Sequence, residues 1–151
     1  MNADNTKLLM DSFRDAELAL AAMPELPKGV TPLYIHVLDA ITQLEEQGRD
    51  ARVSDVAERL GTSLPGVTRA VKSLEGLGLV KKEKAAGDRR IVILRLSASG
   101  RQVHEQYVVR YMDALSRLLG DISDEDAECT AATIRKVAEI MRHSRLPIVR
   151  D

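Results

Sequence analysis

Residues 53–78, VSDVAERLGTSLPGVTRAVKSLEGLG, constrain the fold more tightly than any other stretch of the chain. Ser54 is a good cap for a helix whose first turn holds Asp55, a favourable charge against the helix dipole. Gly61 ends that helix after only two turns. A second helix is expected almost at once, with Ser63 as its cap and Pro65 tolerated in the first turn. Two short helices joined by a tight glycine-containing turn read as helix-turn-helix. In the second helix Val67, Val71, Leu74 and Leu77 form one stripe, while Thr68, Arg69, Lys72 and Ser73 lie opposite. The apolar stripe must pack inward, so the Thr/Arg/Lys face looks out.

Residues 79–96 have a different pattern. LVKKEK and IVILRL are extended runs on either side of AAGDRR, a hairpin signature. Val92, Leu94 and Leu96 alternate with Ile91, Ile93 and Arg95, so one strand face is available for burial. Adjacent cations at the turn, Arg89 and Arg90 directly after Gly87 and Asp88, are unusual unless something negative meets them. Residues 62–95 hold eight basic and three acidic side chains, a local charge of +5. The net charge of the chain is −1, so the remainder carries −6. A basic block on a near-neutral protein points to a polyanion site confined to one face.

The flanks are helical. Residues 5–22 carry apolar positions at three- and four-residue steps, and two prolines and a glycine in 23–29 break that helix. Thr31 and Pro32 restart one as cap and first helical residue. Leu33, Val37, Ile41 and Leu44 form its stripe, and Gly48 stops it. Ala51–Val53 is expected to form a short strand. Ser97 caps a run to about Leu119, with Gly120 as its stop. Ser123 caps a last helix through Ile134, Val137 and Met141, and residues 146–151 are expected to fray. Leu115, Leu118, Leu119, Ile122, Ile134, Val137 and Met141 are more apolar surface than so small a module can bury, and a symmetric homodimer would cover it. The fold class is therefore mainly α with a small β-hairpin wing. A winged helix-turn-helix region, 30–97, is flanked by a helical dimerisation region, 1–29 and 98–151, in one compact protomer.

Several functions are disfavoured by composition and spacing. At 44% hydrophobic and 30% charged residues the chain resembles ordinary soluble domains, and with 3% aromatics and no Trp its core must be aliphatic. No apolar run approaches the roughly 20 residues that span a bilayer, and the first twenty residues have no apolar stretch of a secretory signal, so a cytoplasmic protein without membrane contact is expected. One cysteine, Cys129, rules out an intrachain disulfide, and the acids around it disfavour a reactive thiolate. His36, His104 and His143 form no ligand cluster in sequence, so neither metal nor cofactor is expected. No nucleophile with a base at motif spacing and no phosphate loop occurs, which argues against an enzyme.

Residues 53–103 resemble the winged helix-turn-helix of the MarR (multiple-antibiotic-resistance regulator) family. The match rests on LGTSLPGVTRAVKSLEGLGLV, on GDRR with an Asp-x-Arg wing tip at Asp88 and Arg90, on the apolar strand after it, and on LSASGR opening the next helix. The resemblance implies a homodimeric regulator of transcription, a repressor released by a small-molecule effector, bound to a palindromic operator in double-stranded DNA. Residues 63–78 would then be the recognition helix in the major groove, and the hairpin would reach the minor groove. Arg69 would fork onto guanine, Thr68 would meet a base edge or a thymine methyl, and Ser63 and Lys72 would take phosphates. Pro65 and Gly66 add little bulk, so the helix start would approach closely. Arg90 would enter the minor groove beside Arg89, with Asp88 holding the turn or the arginine in shape. Tyr34, His36, Tyr107 and Tyr111 are the candidate pocket for an aromatic or amphipathic effector.

The rival reading is a winged-helix protein-interaction module without DNA binding. One segment departs from the common family pattern: EEQGRDAR, 45–52, is longer and more charged than usual. Arg49 or Arg52 would touch backbone phosphates there or be plain surface.

Overall fold

The computed structural model describes residues 1–23, 25–85 and 87–144. Helix α1 (Ala3–Ala21) is followed by α2 (Pro32–Glu46), α3 (Val53–Leu60) and α4 (Leu64–Gly76). Strands β1 (Val80–Lys84) and β2 (Val92–Leu96) pair antiparallel, with Val80 opposite Leu96 and Lys84 opposite Val92. Helix α5 (Ala98–His104), a π-helical stretch (Glu105–Val109), α6 (Arg110–Leu118) and α7 (Asp124–His143) complete the order. The chain divides into two compact units, residues 1–107 and 108–151. The expected frayed tail, 146–151, lies outside the described residues.

The core of the first unit is aliphatic throughout. Val37, Leu38, Ile41 and Leu44 of α2, Val56 of α3, and Val67, Val71 and Leu74 of α4 form one cluster with Val80, Leu94 and Leu96 from the base of the hairpin. Each such side chain contributes about 1.5–3 kcal/mol when taken fully out of water. Ala40, Ala57 and Ala70 are buried in the same cluster and keep the three helices close. Gly61 makes the tight turn possible. It closes α3 in the left-handed region at φ 58°, and the Thr62 N–H then reaches back to the Ala57 carbonyl at 3.1 Å.

Several expectations are corrected. Ala51–Val53 is not a strand: Val53 already belongs to α3, and Ala51 contributes a single bond, accepting from the Leu94 N–H at 2.8 Å. Ser54 does not cap α3. Arg52 occupies that position, and its N–H donates to the Asp55 carboxylate at 3.2 Å, so the acid three residues on does the capping from inside the first turn. Thr31 holds the cap position of α2 but its side chain makes no capping bond. Leu33 and Leu77 leave the buried stripes, 37% and 43% exposed, because one sits in the first turn of α2 and the other just past the end of α4. Val92 is exposed and Ile93 buried, against strict alternation: the core reaches only the lower rungs of the hairpin, and Val92 stands beyond them. The run from Ala98 is not one regular helix, since the π-helical turn interrupts it at Glu105.

Two hydrogen bonds tie the start of α5 to the residues after α4, and a third caps α5. The Ser97 N–H donates to the Leu79 carbonyl at 3.0 Å, the Ser97 hydroxyl donates to the Gly78 carbonyl at 2.6 Å, and the Gly100 N–H donates to that hydroxyl at 3.0 Å. Gly100 is required by contact rather than by backbone angle. A Cβ there would lie 2.0 Å from the Leu79 carbonyl oxygen, which is backbone and cannot swing aside. Gly100→Ala is expected to cost about 2–3 kcal/mol or more in a thermal or urea melt. Gly76→Ala, whose Cβ meets nothing within 4 Å, should be neutral or stabilise by up to about 1 kcal/mol.

Candidate nucleic-acid interface

Helix α4 begins where the sequence puts it. The Ser63 hydroxyl accepts from the Gly66 N–H at 3.3 Å, and a Cβ on Gly66 would crowd that oxygen at 3.1 Å. Pro65 sits in the first turn, where no intrahelical N–H is needed. Val67, Ala70, Val71 and Leu74 face the core, so Thr68, Arg69, Lys72 and Ser73 are exposed together on the opposite face. The Thr68 hydroxyl donates to the Leu64 carbonyl at 2.8 Å. Its proton is thus spent within the helix, and what it offers outward is a methyl group and an acceptor.

The hairpin tip is organised by one carboxylate. Asp88 accepts from the Arg90 backbone N–H at 2.9 Å, from Arg90 Nε at 3.1 Å and from Arg90 Nη2 at 3.0 Å. The Ile91 N–H donates to the Asp88 carbonyl and the Ala85 N–H to the Ile91 carbonyl, both at 3.0 Å, closing the turn. The two-pronged side-chain contact fixes the plane of the guanidinium while leaving Nη1 clear. The Arg90 side chain remains 91% exposed. The guanidinium, with the Arg90 backbone N–H second, holds the Asp88 carboxyl below the usual carboxylate range, and Asp88 in turn holds Arg90 further toward its charged form.

The eight cations of residues 62–95 separate into two groups. Lys82 Nζ lies 2.8 Å from Glu75, tying β1 to α4. Arg90 is held by Asp88, and Arg95 by Glu45 and Asp50 at 3.1 and 2.9 Å. Arg69, Lys72, Lys81, Lys84 and Arg89 have no acid partner among the described residues. Arg69 and Lys72 stand on the outer face of α4, and Arg89 at the hairpin tip. Sequence reasoning counted Arg95 with the outward block; only the fold shows that it turns back toward α2. Arg49 lies 4.0 Å from Asp55.

The candidate pocket residues are distributed. Tyr34 packs half-buried against the core from α2, and His36 on the same helix is exposed. Tyr107 lies half-buried in the π-helical turn of the first unit, and Tyr111 half-buried on α6 in the second. A contact between α2 and α5 that no spacing signalled is His104 Nε2 to Asp39 Oδ1, 3.1 Å. Among the described residues no helix is long and apolar enough to cross a membrane.

A family model described as MarR family matches residues 28–91, from just before α2 to the hairpin tip. The HTH-type transcriptional repressor MdtR of Bacillus subtilis is 27% identical over 135 residues, 83% of this chain and 84% of that protein. A shorter match, 31% identical over 77 residues, covers 51% of this chain and about half, 48%, of the HTH-type transcriptional regulator YfiV of the same organism. Among solved structures, FabT of Streptococcus pneumoniae in complex with DNA superposes with a TM-score of 0.67 at 19% identity, covering 93% of this chain and 98% of that one. PcaV of Streptomyces coelicolor, in complex with its natural ligand, gives 0.66 at 24% identity, covering 87% and 89%. Those two likenesses establish the fold. With the helix-turn-helix, the Asp-x-Arg hairpin and the matched stretch in one register, residues 28–91 are similar to the MarR family of winged-helix regulators.

Proposed function

We propose that the chain is a sequence-specific DNA-binding transcriptional regulator, a homodimeric repressor acting on a palindromic operator in the cytoplasm and released by a small-molecule effector. The observation that carries this reading is the preformed pair of cationic elements. Helix α4 offers Arg69 and Lys72 beside Thr68, and the hairpin offers Arg89, none of the three with an acid partner among the described residues, together with Arg90 aimed by Asp88. Arg69 supplies a fork for guanine in the major groove, and the Thr68 methyl suits thymine. Ser63 and Lys72 contact phosphates, and Pro65 and Gly66 let the helix start approach the groove. Arg90 enters a narrow minor groove, where negative potential is concentrated. The basic face of α4 and the intact wing argue against a protein-interaction module without DNA binding, and salt dependence separates the two readings. The work is binding, with no catalytic step.

A dimer is supported by apolar side chains that are exposed among the described residues of each unit. Leu8, Leu18 and Leu20 of α1 and Leu118, Ile122, Ile134 and Ile140 from α6 to α7 are all exposed. Two recognition helices would then fall about 34 Å apart, one turn of DNA. Repression and effector release draw support from the relatives: MdtR is named a repressor, and PcaV is described with its natural ligand. Within the first unit, Tyr34, His36 and Tyr107 are the residues we assign to the effector. An effector can lower affinity only by as much as it prefers the non-binding arrangement.

Fluorescence anisotropy against palindromic duplexes at several salt concentrations tests the reading. Arg69→Ala is expected to weaken binding about ten- to hundredfold and to relax preference at one base pair per half-site. Lys72→Ala should weaken all sequences alike and reduce the salt slope by about one per protomer. Salt-independent binding, or none of these effects on a duplex the wild type prefers, contradicts the proposal.

The Asp88–Arg90 contact also sets a pH expectation. Because the folded carboxyl titrates below its ordinary value of about 3.9, the contact is fully formed above that value and is lost only as pH falls through the depressed one. The wing contribution to binding should therefore be constant from pH 5 to 8, read by comparing wild type with Arg90→Ala across that range. Asp88→Asn, which frees the guanidinium but removes an anion, should narrow the ratio of operator to random-duplex affinity without lowering random-duplex affinity. Unchanged discrimination would mean that Asp88 does not aim Arg90.

A further inference from the structure

The charged segment 45–52 finds its use at the base of the wing. Arg95 Nη1 donates to Glu45 at the end of α2 at 3.1 Å, and Nη2 donates to Asp50 in the following loop at 2.9 Å. Glu83 of β1 adds a third carboxylate at 3.8 Å from Nε. One residue earlier on β2, the Leu94 N–H donates to the Ala51 carbonyl of the same loop at 2.8 Å. The loop thus grips β2 at two successive residues, once through a side chain and once through the backbone.

A grip is needed there. A lone two-stranded hairpin is at best marginally stable in water. This one enters the core cluster through Val80, Leu94 and Leu96, with Ile93 also buried, while Lys84 and Val92 at its outer end are exposed. The register also sets Arg95 directly opposite Lys81, two cations where like charges repel. Three carboxylates offset that repulsion. Only a guanidinium can reach two of them at once, one with each terminal nitrogen; an ammonium on the same stem is a point charge. Arg95 lies five residues from Arg90, at most about 16 Å if the chain between them were fully extended. A tilt of roughly 10° at that distance moves the tip by about 3 Å.

We infer that Arg95, clamped by Glu45 and Asp50, is a positioning residue for DNA binding: it fixes the angle at which the wing leaves the helix-turn-helix and does not itself touch DNA. This rests on the DNA-binding reading above. Its structural half, that the clamp holds the wing, can be tested without DNA.

Arg95→Met removes the charge and keeps the stem; Arg95→Lys keeps the charge and removes the fork. In both, amide hydrogen exchange followed by NMR should show Leu94 exchanging at least about tenfold faster while Leu38 and Ile41 in α2 are unchanged. Equal protection of Leu94 in the wild type and both variants would overturn the clamp. On a selected operator duplex, both variants should weaken binding about five- to tenfold with the salt slope intact, and by less than about twofold when Arg90 is already Ala. Full rescue by lysine, with a salt slope lower by about one per protomer in Arg95→Met, would instead make Arg95 a phosphate contact and overturn the positioning role. If the wild type prefers no duplex, it is the DNA-binding reading that fails, and the Leu94 exchange rates still decide the clamp.

Discussion

Val67, Ala70, Val71 and Leu74 share a cluster with Val37, Leu38, Ile41 and Leu44, and on that burial the remaining geometry depends. It sets the rotation of α4 about its own axis. A helix that buries one stripe exposes the opposite one, so the same contacts that exclude water from Leu74 bring Thr68, Arg69 and Lys72 to the surface together. The hairpin base, Val80, Leu94 and Leu96, enters the same cluster. The spacing between the outer face of α4 and the base of the wing is therefore a property of the core. The link from Gly78 and Leu79 to Ser97 and Gly100 then carries the frame into α5, with no room for a methyl group between the two.

Electrostatics is arranged in two tiers on this frame. Some cations are consumed in holding the frame: Lys82 on Glu75 and Arg95 on Glu45 and Asp50. Others are left free on the face that α4 and the hairpin present. Arg90 stands between the tiers, fixed by Asp88 along one edge of its guanidinium and open on the other. Surface pairs of this kind add little to stability. Their value is directional, since they limit the orientations that must be given up on binding a polyanion.

Much of this was legible in the chain itself. The stripe of Val67, Val71 and Leu74, the Ser63, Ser97 and Ser123 caps and the extended runs around Gly87 follow from local chemistry, and local chemistry is what periodicity and capping rules report. Where the structure differs, a tertiary contact decided the outcome. Leu94 uses the Ala51 carbonyl, a single bond to β2, while Arg52 and Val53 already serve α3, so 51–53 forms no strand. Leu77 falls past the end of α4 and escapes burial. The basic block could be counted but not sorted, because Glu45 and Asp50 are 50 and 45 residues from Arg95 and no spacing rule connects them. The His104–Asp39 contact, 65 residues apart, was out of reach for the same reason. Arg69, Lys72 and Arg89 keep the outward position that the helical period and the turn assign them, and no acid among the described residues pairs with them.

The most direct measurement is selection from randomised duplexes followed by hydroxyl-radical footprinting of the enriched sequence. Paired major-groove elements with flanking wings predict an inverted repeat whose half-site centres lie about 10 base pairs apart. Protection should extend outward into the minor groove on each side, and should shrink there, and only there, when Arg90 is replaced by alanine. An unenriched pool, or a footprint that ignores the loss of Arg90, would contradict the claim that these two elements form one DNA-reading surface.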